Sequence, residues 1–553
     1  MTPKFSVLTP VHDPPEAVLA AMLASVTQQT CSDWEHCLVD DGSSRPYVRA
    51  QLEAAAAADA RVKVAFRAES GGIVAATNDA FALGTGEFVA LLDHDDELHP
   101  DALAHVGRAI DAHPDVDHLY TDEDKIDEGG RHYGLFLKPD WSPERLRSQM
   151  YTCHLAVSRR SLVAEVGGWR AGFDGSQDWD LALRVTERAR RVVHVRENCY
   201  HWRAIEGSAA ASSDAKPYAA IAAQRAITEH IDRIGLEAVA EGPTSIGAFR
   251  IRPQLRSQPP VSIVVPTGGQ VRPIDGRPTR LVTHAVRSIV ERTTYPNYEI
   301  IVVVDESVGP DVRREIRDAG DGAVRIIDCD RPFNFSERIN YGTVHSDGEF
   351  VLLLNDDVEV LPEGWRAAWP VRSGASTWLE SLVMYARLDA IGAVGARLYT
   401  GDLRLQHVGV VVQHAMPAHS YRGFPSEHIG YGANIVVPGN YSAVTAACLM
   451  SRRSVFDEVG GLSLGLPLNY NDVDYCMKVR NQGYRIVYDP EVELLHFESS
   501  SRAPGYAPHE LAILHDRWKP HMIDDPYFHP KFFQGDHDFW PPAQFEDGSV
   551  FSG

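Results

Sequence analysis

No Gly-Lys dipeptide occurs anywhere in the 553 residues, which excludes the phosphate-cradling loop of nucleoside triphosphatases. No Cys-x-x-Cys pair occurs either. The seven cysteines (Cys31, Cys37, Cys153, Cys199, Cys329, Cys448, Cys476) are odd in number and scattered, a pattern of reduced thiols rather than disulfides or zinc knuckles. Cationic excess is absent: 53 Lys and Arg stand against 76 Asp and Glu, a formal charge of −23, so no counterion release would drive nucleic-acid binding. Long apolar runs are lacking too. Ile300 to Val304 and Phe350 to Leu354 span about five residues, against the roughly 20 that cross a bilayer. Nothing before Pro14-Pro15 resembles the apolar region of a secretion signal, so the expected location is the cytoplasm.

What is present is ordinary globular composition, 44% apolar and 23% charged, in a chain too long for one core. A series of short signals runs through it twice. Phe5-Ser-Val-Leu-Thr-Pro10 matches Val261-Ser-Ile-Val-Val-Pro266, each an apolar strand that the proline is expected to stop. Next come His36-Cys-Leu-Val-Asp40-Asp41 and Ile300-Ile-Val-Val-Val-Asp305, then Phe88-Val-Ala-Leu-Leu-Asp93-His-Asp95-Asp96 and Phe350-Val-Leu-Leu-Leu-Asn355-Asp356-Asp357. Val166-Gly-Gly168 precedes Asp178-Trp-Asp180 and His201; Val459-Gly-Gly461 precedes Asp472-Val-Asp474 and His496. The separations from first aspartate to histidine are 201 − 178 = 23 and 496 − 472 = 24.

Strands alternating with helix-length segments such as Pro100 to Ala112 predict an α/β fold in each half, with parallel strands and crossover helices. The expected division is a first domain over 1–240, a linker over 241–260 rich in Gly and Pro, a second domain over 261–523 and an aromatic, proline-containing tail over 524–553. The tail is expected to strap across the second domain or an interface. About 30 extra residues in the second half, Trp365 to Ala393, are expected to be helical.

Ligands of open α/β sheets bind outside the carboxyl ends of strands, where Asp40, Asp93, Asp95, Asp305, Asn355 and Asp357 would fall. Carboxylates at i and i+2 leaving a strand suit a hard divalent ion, Mg²⁺ or Mn²⁺, with diphosphate oxygens completing the shell. Solvated turns are the ordinary alternative for one such motif, and recurrence in register argues against it. Asp178, Asp180, Asp472 and Asp474 open amphipathic runs; at least one of each pair is expected to cap its helix, and an aspartate at the crevice mouth would also accept a proton from an attacking hydroxyl. A lone histidine after a strand is usually structural. Recurrence gives His201 and His496 a metal or diphosphate role, since imidazole completes a carboxylate-bound Mn²⁺ site.

Together these motifs resemble two inverting glycosyltransferases of family 2, with the GT-A fold, in tandem. The resemblance rests on Val39-Asp-Asp-Gly-Ser43, Leu91-Leu-Asp-His-Asp-Asp96, Val166-Gly-Gly-Trp169, Gln177-Asp178 and Tyr200-His-Trp-Arg203. In the second half Phe333-Asn-Phe-Ser336, Leu354-Asn-Asp-Asp-Val358, Val459-Gly-Gly461, Asn471-Asp-Val-Asp-Tyr-Cys476 and His496-Phe-Glu-Ser-Ser-Ser-Arg502 are similar to the rhamnosyltransferase-like branch. It implies nucleotide-sugar contacts from Asp40, Asp41, Asp93, Asp305, Asn355 and Asp356, metal binding by Asp95 and Asp357 with His201 and His496 near the metal or diphosphate, and Asp178 and Asp472 as bases. The implied donor is a UDP-, dTDP- or GDP-sugar and the implied acceptor a glycan or lipid-linked glycan. The implied reaction is in-line displacement at the anomeric carbon, without a covalent enzyme intermediate.

Two departures stand out. Asn355 replaces the first half's Asp93, and Val303-Val-Asp305-Glu-Ser307 is shorter than the usual Asp-Asp-Gly-Ser; a second half that only binds carbohydrate is therefore the rival reading. A haloacid-dehalogenase-type phosphatase would continue with Gly and Thr or Val where Asp96-Glu97 follow. His509-Glu510 has Ile513 where a zinc helix needs histidine, so it reads as a helical face. Arg188, Arg190 and Arg191, and Arg250, Arg252 and Arg256, read as solvated surface or, alternatively, as a peripheral contact to anionic inner-membrane lipid.

Overall fold

Apolar runs ending in carboxylates become the middle of each sheet, where burial on both faces selects continuous Val, Ile and Leu. The computed structural model describes residues 2–204, 217–362, 365, 377–497, 508–532 and 537–541. Contacts divide the chain into two units, one built mainly from Met1–Gly235 with Ala240–Ile251, the other from Leu236–Val239 with Arg252–Phe539. Of the stretch read as a linker, Glu241 ends the short strand Ala238–Glu241 and Arg250–Pro253 forms another.

Nine strands form the first unit's sheet: β1 (Phe5–Val11), β2 (Trp34–Asp40), β3 (Val62–Phe66), β4 (Phe88–Leu91), β5 (Glu97–Leu98), β6 (His118–Ile126), β7 (His132–Phe136), β8 (Val157–Arg159) and β9 (Val192–Arg203). Their order is β3-β2-β1-β4-β8-β6-β9-β5, with β7 on β6. β1 to β4 are mutually parallel, and β8 enters antiparallel between β4 and β6. Helices Glu16–Thr27, Pro46–Ala58 and Ile73–Leu83 make the crossovers. Phe5, Val7, Leu19 and Met22 fill one face of the sheet; Leu8, Val74, Ala80, Trp169 and Leu181 fill the other.

The second unit repeats the order with Val324–Asp328, Tyr298–Val304, Val261–Pro266, Phe350–Leu354, Cys448–Arg452, Ile391–Tyr399, Arg485–His496 and Val358–Val360. Both halves are therefore mixed α/β units with a parallel sheet core, as expected.

Pro10 lies inside its strand instead of stopping it, whereas Pro266 is the last residue of Val261–Pro266. β1 pairs with β2 as far as Val11↔Asp40 but with β4 only to Leu8↔Leu91. Leu92 N–H donates to Leu8, so residues of that parity face β4, and the missing N–H of Pro10 falls where β4 has already ended. Pro266 sits likewise beyond the last pair with Phe350–Leu354, Val264↔Leu353.

Among the described residues of the expected helical insertion, Trp378–Ala386 is an α-helix and Ile391 already begins a strand; residues 366–376 lie outside the described residues. Downstream, Asp525 accepts the Val412 N–H at 2.6 Å, and Phe528, Phe532 and Phe539 are buried within the second unit. Phe533, and Glu498 to Arg502 of the quoted motif, lie outside the described residues. Glu510 is buried and accepts the Leu468 and Asn469 N–H groups, which fits an ordinary helical face at His509-Glu510. Among the described residues no helix is long and apolar enough to cross a membrane.

Candidate functional site

β4 ends at Leu91, and the chain leaves the sheet's carboxyl edge as Leu92-Asp-His-Asp-Asp96. Asp93, His154, Gln177, Asp178 and Tyr200 line a cleft walled by Ile73, Leu91, Leu92 and Trp169. Within it, donor atoms of Asp93, Asp96 and His154 all lie within 4.8 Å of one another. Asp96 is held as an anchor, accepting the Tyr200 hydroxyl at 2.6 Å and the Arg203 N–H at 2.7 Å. Among the described residues the carboxylates of Asp93 and Asp95 have no hydrogen-bond partner.

Burial, then crowding by Asp95 and by each other, pushes Asp96 well above the ordinary carboxylate range; burial likewise raises Asp93, with Asp95 and Asp178 adding to it. Burial opposes charge on His154, but its bond to Glu123 and the charges of Glu123, Asp96 and Asp93 outweigh that and lift it to about 9. Its ring stacks on Tyr200 at 4.4 Å. The residues' types did not mark His154: it precedes β8, and its counterpart in the other half is Ala447, so the repeat carries no signal for it.

The helix Gln177–Thr186 brings Asp178 to this cleft. Neither aspartate of the pair caps it. Ser176 stands at the N-cap without a side-chain cap bond, while Asp178 accepts the Trp179 N–H at 2.8 Å. Burial raises the Asp178 carboxyl above its ordinary value. Asp180, 1% exposed, is instead a clamp: it accepts Arg184 Nη2 at 2.6 Å and pairs closely with Arg170. Arg184 also donates to Val166 and Gly168. In the other half Tyr470 precedes the helix Asn471–Asn481, Asp472 accepts the Val473 and Ala446 N–H groups, and fully buried Asp474 is clamped by Ser463, Arg517 and Trp518.

The Gly-Gly pairs have one cause in both halves. Gly168 and Gly461 have φ of +66° and +63°, and an added Cβ would lie 2.7 Å from Asn78 Oδ1 and 2.6 Å from Asn340 Oδ1. Each asparagine spans the turn, donating to the carbonyl and accepting the N–H of Trp169 or Leu462. The sequence reading missed both asparagines, although they recur at matching positions.

Register separates the two histidines that spacing had equated. β5 pairs Glu97↔His201, and the corresponding strand pairs Val358↔His496 and Glu359↔Leu495. Glu97 and Glu359 hold the same place after their acidic motifs, so His201 corresponds to Leu495, and His496 to Trp202. One residue of offset turns a side chain to the other face of a strand. Accordingly His496 meets the acidic motif, its Nε2 3.0 Å from Asp357 and 3.1 Å from the Asn355 amide, while Gln406 holds its Nδ1 at 2.7 Å. His201 turns away from the cleft to Asp124, and the imidazole on the first cleft is His154.

The same comparison pairs Val39 and Val303 with the prolines, so Asp305 corresponds to Asp41 rather than Asp40. Both are bound by arginine: Asp41 by Arg67 at 2.9 Å, together with Ser70 and the Gly71 and Gly72 N–H groups, and Asp305 by buried Arg338. Asp40 accepts the Ser43 N–H. Asp356 accepts the Thr267 hydroxyl, and burial followed by the Asp357 charge raises it to about 7. Of the basic clusters, Arg188, Arg190 and Arg191 pair with Glu165, Asp117 and Asp115.

The glycosyl transferase family 2 model matches residues 6–167 and 278–369. Protein y4gI of Sinorhizobium fredii, itself uncharacterized, is 41% identical over 97% of this chain and 58% of its own length. The O-antigen biosynthesis protein RfbC of Myxococcus xanthus is 36% identical over 96% of this chain and 40% of its own. The chain thus spans only about half the length of these two relatives. A PGL/p-HBAD biosynthesis glycosyltransferase of Mycobacterium bovis is 32% identical over 35% of this chain and 75% of its own. Among solved structures, S. aureus TarS 1-349 matches at 20% identity and a TM-score of 0.34, over 41% of this chain and 65% of that one.

Proposed function

Because the chain belongs to glycosyl transferase family 2, we propose that it transfers sugars from nucleotide-sugar donors to a glycan or lipid-linked glycan, with inversion and with a divalent metal, at one site in each half. The observation that carries this reading is the shared cleft: Asp93 and Asp178, far apart in sequence, line it together with His154.

The donor set fits a metal. Carboxylates raised by burial and mutual repulsion gain most from a cation, and a mixed carboxylate and imidazole set suits Mn²⁺ or Mg²⁺. Asp93, Asp95, Asp96 and His154 would hold it in the first half, Asp357 and His496 in the second. When bound, the ion supplies charge neutralisation for the departing nucleoside diphosphate.

Asp178 serves as the base. Its raised pKa makes it the stronger proton acceptor, within the acid-base range of 10²- to 10⁴-fold rate effects. The acceptor hydroxyl oxygen bonds to the anomeric carbon as the bond from that carbon to the diphosphate oxygen breaks; the proton passes to Asp178, and the nucleoside diphosphate leaves with the bonding pair. Asp472 takes the same part in the second half. Asp41 and Asp305, each neutralised by an arginine, shape the loops beside the donor, with Asp40, Asn355 and Asp356 beside them. UDP-, dTDP- and GDP-sugars are the donor classes, with rhamnosyl transfer assigned to the second half. The likeness to an O-antigen biosynthesis protein of Myxococcus xanthus supports a cell-surface polysaccharide product, made in the cytoplasm at the membrane's inner face.

Asn355 in place of Asp93 favours a second reading, in which the second half only binds carbohydrate. The test is donor-panel product analysis with Mn²⁺ for the full chain, Asp178→Asn and Asp472→Asn. Two products lost one per variant support two sites. Loss of the only product in Asp178→Asn, with Asp472→Asn unchanged, selects the binding role; transfer surviving in both variants overturns the assignment of bases.

A further inference from the structure

We infer that the first unit carries a second metal site, on the face of its sheet turned away from the cleft, built by Asp124, His132 and His201 and suited to Zn²⁺ or a neighbouring transition-metal ion. Strand alternation separates it from the cleft. Glu123 faces His154, so Asp124 beside it on β6 faces the other way; Tyr200 and Trp202 lie 4.4 and 5.6 Å from the His154 ring, so His201 between them faces the other way too.

Three adjacent strands fix the donors. Asp124 and His201 are direct partners between β6 and β9, and His132 opens β7 opposite Ile126. His201 Nδ1 lies 2.6 Å from one Asp124 oxygen and His132 Nδ1 3.0 Å from the other; the two rings are 4.5 Å apart at 82°. Asn198 donates to Asp124 at 2.8 Å and fixes the carboxylate plane. All three donors fall within 4.8 Å of one another.

Two imidazoles and one carboxylate select a borderline ion over Mg²⁺ or Ca²⁺. Tetrahedral zinc, with bonds of about 2.0–2.1 Å, sets its N and O donors about 3.3 Å apart. The present separations of 2.6 and 3.0 Å need to open by about 0.7 and 0.3 Å as the ion replaces the shared protons. The His132 side chain is 47% exposed, which leaves an entry path and a fourth position for water, as in open zinc sites. The bound ion would pin the β6–β7 hairpin to β9, the strand whose next residues back His154. The site stands whether or not the first cleft transfers sugar.

The test uses the full chain stripped with chelator, titrated with Zn²⁺ against a chromophoric competitor and separately with Co²⁺. Wild type is expected to bind one equivalent that His132→Ala binds about 10- to 100-fold more weakly, with the visible absorption of tetrahedral Co²⁺ lost in His132→Ala and His201→Ala. Asp93→Asn is expected to keep both signals, which separates this site from the cleft. Equal Zn²⁺ stoichiometry and affinity in wild type and His132→Ala, or a Co²⁺ spectrum lost only in Asp93→Asn, would overturn the inference. His132 is at the surface, and thermal unfolding of the metal-free His132→Ala protein matching wild type confirms that a lost equivalent is not a lost fold.

Discussion

Asp178 and Asp180 stand two residues apart on the same helix turn and are expected to fail in opposite ways when neutralised. Asp180 is 1% exposed between Arg170 and Arg184, and Arg184 continues to the carbonyls of Val166 and Gly168. Asp180→Asn leaves a buried arginine without its counter-charge, a loss of about 3–5 kcal/mol for a buried pair broken on one side. At a urea slope of about 3 kcal/mol/M, that lowers the first unit's unfolding midpoint by about 1 M or more. Asp178 is different. Its carboxylate accepts one local N–H, and its raised pKa means that the charged form is the disfavoured one in the fold. Asp178→Asn should therefore leave the urea midpoint within about 0.5 kcal/mol of wild type while cutting transfer by about 10²- to 10⁴-fold. The assay pairs urea unfolding with nucleotide release from the accepted donor, at a temperature where both variants are folded. An Asp178→Asn protein that unfolds like Asp180→Asn, or an Asp180→Asn protein that is stable and inactive, would refute the division of labour. The same contrast is expected between Asp472 and Asp474.

Gly168→Ala and Gly461→Ala should each cost about 2–4 kcal/mol, combining left-handed strain with disruption of the Asn78 or Asn340 bracket; unfolding midpoints within 0.5 kcal/mol of wild type would show that the brackets yield freely. The acid side of the pH-rate profile of the first half should fall as Asp178 gains its proton, at a pH above the ordinary carboxylate value because burial raises this group; a limb at that ordinary value would count against it as base. Asp356 has a folded pKa raised to about 7, so its contribution to stability is full below the unfolded carboxylate value near 4 and is lost as pH rises through about 7. Asp356→Asn should flatten the pH dependence of melting across that window, and an unchanged slope would contradict the burial assigned to it. His496→Ala should weaken Mn²⁺ activation of the second half by about 10- to 100-fold, whereas His201→Ala should leave that of the first half unchanged; equal effects would reinstate their equivalence.

The strands and their acidic ends were legible because burial on both faces forces uninterrupted apolar runs, and a chain leaving such a run needs polar residues at once. The recurrence of the strand order was legible for the same reason. Three things were not. His154 reaches the cleft through tertiary placement of the segment before β8, and no spacing rule links it to Asp93 at a distance of 61 residues, 154 − 93. The ladders of the two halves match residue for residue, from Leu119↔Val193 to Asp124↔His201 and from Val394↔Val487 to Tyr399↔Leu495, so the separations of 23 and 24 carry the one-residue offset between His201 and His496, and strand pairing shows which way each ring then faces. At least one aspartate of each pair was expected to cap its helix, whereas Asp180 is clamped by Arg184 one turn on and Arg170 upstream, and Asp474 by Arg517 and Trp518 of a segment that sequence order does not bring near.

That one-residue offset has an evolutionary reach. Because the two ladders match, exchanging the identities of two neighbouring side chains leaves every strand in place and changes which groups look inward and which outward. Such an exchange redirects an imidazole from one side of a sheet to the other without a step through an unfolded ancestor, so modules of one strand order present different groups while order and connectivity stay the same.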